Sequence, residues 1–277
     1  MLKKLFKYEW KASARVMLVL YGIVILFTLL SRLLMEVSGI RSGDGSLPIV
    51  ETISALILMI SVVLIGSSVI FTWIFIAYRF YKSVFTEQGY LTNTLPVTQQ
   101  QIIIAKGLTG VIWQVINWLV VVAAFLIMAA DGNDFVGFFK IFPEIFRMFT
   151  IRDIALSVWL ILFIIIASPF TMVLEMYMCI AVGNLLSGHK VLGAVGTYAG
   201  LYVVQCIIGV IVMVCSGLQY LSVEYTGNTV EMQSRLQHQL LSTLNINLAA
   251  ALIVSLAFIA MGYLVTKHIM TKRLNLQ

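Results

Sequence analysis

Six apolar runs, residues 16–34, 53–77, 102–130, 154–180, 191–215 and 248–265, constrain this chain more than anything else in it. Each approaches or exceeds the roughly 20 residues that a helix needs to cross a hydrocarbon layer at a rise of 1.5 Å per residue. Inside such a layer every backbone N–H and C=O must find its partner within the protein, which leaves helices or a closed barrel. A barrel strand alternates apolar and polar positions over about ten residues, and these runs are apolar throughout. The expected fold class is therefore an all-α membrane protein with six transmembrane helices in a single transmembrane domain, residues 1–277.

Composition agrees with that reading. Hydrophobic residues make up 61% of the chain and charged residues only 11%, with a mean hydropathy of +1.01. Soluble domains devote about a quarter of their residues to charge. The first run is too long for the apolar core of a secretory signal, and no small-residue cleavage pattern follows it, so it is expected to remain as a span.

Orientation is read from lysine and arginine near the span ends. With the N-terminus inside, Lys3, Lys4, Lys7, Lys11, Arg15, Arg79, Lys82, Lys106, Lys190, Lys267, Lys272 and Arg273 fall on the cytosolic side, twelve of the 18 basic residues. Both termini are then cytosolic. The formal charge of +6 is a topological signal, and no nucleic-acid partner is expected. Cys179, Cys206 and Cys215 fall in or at the end of spans without paired spacing, which predicts small buried apolar residues and neither a disulfide framework nor a metal site.

Two flanking segments have helical periodicity. Residues 1–14 wind into an interface helix with Lys3, Lys4, Lys7 and Lys11 on one arc and Leu2, Leu5, Phe6 and Trp10 on another, suited to membrane lipid headgroups. Residues 216–247 set Leu236, Leu240, Leu241 and Leu244 at helical spacing among polar residues, which predicts an amphipathic or re-entrant outer segment before the sixth span. Pro169 supplies a place for the fourth helix to kink.

The remaining polar stretch, residues 81–97, joins the second and third spans. Pro96 disfavours helical geometry at Leu95, so a helix over residues 85–92 must stop there. Thr98 and Gln101 have the spacing of a capping box, with Val97 and Ile102 placed as a hydrophobic staple, so the third span begins at a defined angle. A short helix, a Leu-Pro break and a capped span form a stiff connection.

These residues, Glu87-Gln-Gly-Tyr-Leu-Thr-Asn-Thr-Leu-Pro96 with Lys106 ten positions on, resemble the permease subunits of type-2 ABC transporters, of the bacterial exporter kind. The six spans, the basic N-terminal helix and the polar segment before the last span fit the same pattern. The resemblance implies a permease domain whose loop between spans two and three is a cytosolic coupling helix docked on a separate ATP-binding cassette subunit. By position, the docking residues would be Glu87, Gln88, Gly89, Tyr90, Leu91 and Thr92, and the break and cap would be Leu95, Pro96, Thr98 and Gln101. It further implies a second permease copy or a homologous permease as partner, the bacterial plasma membrane as location, and ATP and Mg on the partner subunit, with no cofactor bound by this chain.

Enzyme chemistry is not expected of the chain itself. A phosphate-binding loop requires Gly-x-x-x-x-Gly-Lys-Ser/Thr, and the nearest stretch, Gly183 to Lys190, carries His189 where the lysine belongs. His189, His238 and His268 have no one-turn Glu or His partner for zinc, and no nucleophile elbow occurs, so neither catalytic residues nor a metal are predicted. Glu175 lies inside the fourth span, where a carboxylate is costly enough to be a candidate pathway or gating group. Gln114 and Asn117 in the third span, and Gln205 in the fifth, can line a path or bond across helices. The alternative to an exporter is an ATP-independent carrier, or a membrane sensor or assembly protein.

Overall fold

A computed structural model describes residues 2–37, 48–86, 89, 98–129, 137, 140, 143–151, 154–186, 188–221 and 229–272. Six long helices run through them: α1 (Leu2–Val37), α2 (Pro48–Phe85), α3 (Gln99–Ala129), α4 (Ala155–Gly183), α5 (Lys190–Leu221) and α6 (Thr229–Lys272). Each is long and apolar enough to cross a membrane, so the chain is a multi-pass, all-α membrane protein. By packing it divides into two compact units, residues 1–140 and 141–277, with three of these helices each.

In the first unit α1 packs along both α3 and α2. Its buried positions are Ser13, Met17, Tyr21, Val24, Thr28 and Ser31, a spacing of three and four residues that keeps one stripe facing its neighbours. The stripe of α2 is built the same way from Ser54, Ser61, Ile65, Ser68, Thr72 and Ile76. Small side chains suit this role because apolar residues gain little by leaving lipid for protein, and association depends on close backbone approach and interhelical bonds. Ser61 Oγ makes such a bond to the carbonyl of Phe27 on α1 at 3.0 Å.

The second unit is centred on α4, which packs chiefly on α6 and also on α5. Gly262 on α6 marks a close approach to α4: a Cβ there would sit 2.9 Å from the carbonyl oxygen of Leu174 and 3.0 Å from its carbon. Phe258 and Thr266, one turn to either side, are buried on the same stripe. Pro169 lies within α4, which stays helical from Ala155 to Gly183.

Several element boundaries differ from the sequence reading. The interface segment 1–14 and the first span are one continuous helix, because nothing between Leu2 and Tyr21 is a proline or glycine that would separate them. At 36 residues, α1 is about 54 Å long, well beyond a 30 Å hydrocarbon layer, so part of it lies outside. Of the polar segment 216–247, the described residues form the end of α5 to Leu221 and the first part of α6 from Thr229, which continues unbroken to Lys272. Cys179 is buried as expected, whereas Cys206 and Cys215 are exposed on α5, the span with the smallest buried share.

Candidate functional site at the ends of α1, α2 and α3

The first turns of α1, the last turns of α2 and the first turns of α3 meet around one carboxylate. Wound at 3.6 residues per turn, Glu9 falls between Leu5 and Leu2 on the arc that also carries Ser13 and Phe6, so it points into the unit and away from the lysine arc. Its Oε2 accepts from the Arg79 guanidinium at 2.6 Å, and its Oε1 accepts from the Lys106 ammonium. The side chains are 16%, 27% and 5% exposed for Glu9, Arg79 and Lys106. Lys106 is therefore an inward-facing member of an ion triad, not the flanking headgroup contact that a basic residue near a span end suggests. Desolvation costs each ion several kcal/mol, and this arrangement offsets that cost by placing one carboxylate between two cations.

The junction continues into the unit as a polar seam. Ser13, one turn after Glu9, donates from Oγ to the Glu9 carbonyl at 2.7 Å and accepts from Trp113 Nε1 at 2.9 Å. The Trp113 ring stacks on Trp10 with centroids 4.5 Å apart and planes 11° from parallel. Tyr21 donates from its hydroxyl to the Trp113 carbonyl at 3.2 Å and lies 3.4 Å from Thr72 Oγ1. Trp113→Phe removes the bond to Ser13 and part of the stacked area. We expect it to cost about 1–2 kcal/mol in denaturant unfolding and to break the packing of α1 on α3.

Deeper along α3, Gln114 and Asn117 are 1% and 0% exposed. Asn117 Nδ2 donates to Ser68 Oγ on α2 at 3.3 Å, while Asn117 Oδ1 and Gln114 Nε2 have no hydrogen-bond partner among the described residues. Both residues thus sit in the seam between α3 and its neighbours, and the bond to Ser68 gives Asn117 the interhelical role.

Of the loop residues, Glu87, Gln88, Tyr90, Leu91, Thr92, Leu95 and Pro96 lie outside the described residues. Gly89 is described: its N–H donates to the Thr86 carbonyl at 2.7 Å, and a Cβ at this position would run into the backbone of Val84. Only glycine lets the chain fold back this closely on the end of α2. On the far side of the loop, Thr98 and Gln101 make the reciprocal bonds of a capping box, Gln101 N–H to Thr98 Oγ1 and Thr98 N–H to Gln101 Oε1, each 3.4 Å. Ile102 is fully buried just after the cap.

Glu175 belongs to the second unit and is a separate feature. It is 8% exposed and accepts a hydrogen bond from Gln205 Nε2 on α5. Its partner is thus an amide of the neighbouring helix.

The residue that sequence reasoning missed is Glu9. The signal was present: it is the one acid among the first 35 residues, and it stands on the apolar arc of a basic helix. Such a carboxylate needs an interior cation. Protein-family models, curated proteins and solved structures contain no significant match to this chain.

Proposed function

We propose that this chain is the membrane subunit of an ATP-driven exporter of the type-2 ABC class, with residues 87–92 docking on a separate ATP-binding subunit. The observation that carries the reading is the Glu9 junction: Arg79 near the end of α2 and Lys106 near the start of α3 bracket the loop, and one carboxylate on α1 holds both. Together with the Thr98–Gln101 cap and the close return at Gly89, this makes a stiff base for the segment between α2 and α3. A push on that segment would reach α1, α2 and α3 together, and rigid-body movement of packed helices is how a nucleotide-driven subunit shifts spans between two access states.

In this reading the loop side of the unit is cytosolic, the membrane is the bacterial plasma membrane, and ATP and Mg belong to the partner. Glu87 offers a charge for a basic residue of the partner, and Tyr90 and Leu91 offer apolar anchors of the kind that dominate docking energies.

The test is ATP hydrolysis by the tagged protein purified from its native host into nanodiscs. We expect vanadate-sensitive hydrolysis and a co-purifying polypeptide labelled by a photoreactive ATP analogue. Glu87→Lys with Tyr90→Ala should lower both at least about tenfold while leaving the chain in the membrane. Purified protein with neither activity nor a nucleotide-labelled partner would reject the exporter and favour an ATP-independent carrier or sensor.

A further inference from the structure

A second site lies within residues 141–277, between the start of α4 and the middle of α6. The first two turns of α4 and the middle of α6 enclose a groove of about 540 Å³. That volume is in the range of sites that take small ligands, about 300–1,000 Å³. On α6, His238, Ser242, Asn245 and Ala249 follow one another at i, i+4, i+7 and i+11, so they form a single stripe along the groove. Leu156 and Leu160 of α4 form the facing wall.

The lining changes character along its length. Over about 16 Å of α6 it passes from an imidazole, a hydroxyl and an amide, with Leu241 beside them, to Ile246 and Ala249. Asn245 Oδ1 accepts from Ser157 Oγ on α4 at 2.6 Å, which fixes the amide and leaves its Nδ2–H₂ as the donor. Among the described residues no acidic side chain lines the groove, so its polar end offers N–H and O–H groups suited to an anionic acceptor. A hydrogen-bonding end that runs into an apolar trough matches an amphiphile with an anionic head and an aliphatic tail.

We infer that the α4–α6 groove binds a bilayer phospholipid, with its phosphodiester at His238, Ser242 and Asn245 and an acyl chain along Leu160, Ile246 and Ala249. The phosphate is what the polar end recognises; the apolar end would accept any chain of similar width. The site is independent of the exporter reading, since it uses no residue of the loop or of the Glu9 junction.

The experiment uses the full chain in nanodiscs of phosphatidylethanolamine and phosphatidylglycerol. One arm carries a trace of phosphatidylglycerol with a diazirine in its acyl chain, and the other carries diacylglycerol with the same diazirine. After irradiation, peptide mapping should place phosphatidylglycerol label on residues 156–160 and 241–249 about fivefold above the lipid-exposed face of α5, with diacylglycerol showing no such excess. His238→Leu with Ser242→Leu, at two exposed positions, should reduce the phosphatidylglycerol signal to the diacylglycerol level. Leu160→Trp, which fills the trough, should remove it. Equal labelling of the groove by both probes in the unmodified protein, or labelling no stronger than on α5, would overturn the inference without reference to any variant.

Discussion

Glu9→Gln is expected to destabilise the folded protein by about 3 kcal/mol, the largest effect of any conservative polar substitution in the chain. The change is isosteric and leaves α1 helical, so the loss comes from electrostatics. Lys106, 5% exposed, and Arg79, 27% exposed, would face each other without the carboxylate between them. An ordinary interhelical hydrogen bond in a membrane protein contributes about 0.6 kcal/mol, so losing neutral bonds along the seam cannot produce a change of this size. Unfolding in mixed detergent micelles, followed by the fluorescence of the stacked Trp10 and Trp113, reads the effect at the junction itself. The double variant Glu9→Gln with Lys106→Gln should lose less than the sum of the single variants, with an interaction energy of about 2 kcal/mol. Additive single effects would mean that the triad is a surface pairing without mutual dependence.

Gly262→Leu is the second large effect, expected at about 3 kcal/mol in the same unfolding measurement, with Gly262→Ala near 1 kcal/mol. The cause is geometric. A Cβ at residue 262 would lie 2.9 Å from a backbone carbonyl oxygen of α4, and backbone cannot swing aside as a flexible side chain can. The helices must separate, and separation opens the stripe that contains Phe258 and Thr266, both buried. Loss should grow with side-chain size from alanine to leucine. A leucine variant that unfolds with the unmodified protein would show that α4 and α6 do not approach this closely.

These two residues also show what kind of information sequence holds. Glycine at 262 reads as one of many glycines in apolar runs, and nothing local separates it from Gly209, whose surroundings are open. The partner backbone that makes it necessary belongs to Leu174, 88 positions earlier in the chain, 262 − 174. Glu9 was more legible, because its place on the apolar arc follows from the helical period alone. Its partners were not, since Arg79 and Lys106 lie 70 and 97 residues away. The Thr98–Gln101 cap was legible in full, being a bond between residues three apart.

The same division holds for the other candidate residues. Asn117 and Gln205 are of the type that bonds across helices, and each does, to Ser68 and Glu175. Residue type announces the capacity to bond, and only packing selects the partner. His238, Ser242 and Asn245 gave a similar half-signal as polar members of an amphipathic segment. Their convergence on one groove depends on how the start of α4 packs against α6.

By itself, the sequence determined the six helices, because the cost of unpaired backbone in lipid acts residue by residue along each apolar run. It also determined the helix cap and the arc on which Glu9 stands, both of which are local. Tertiary structure alone decided that Lys106 turns inward to Glu9, that Gly262 meets Leu174, and that α4 and α6 line one groove. Those outcomes depend on which stripes of which helices come together, a choice made by packing between residues far apart in the chain.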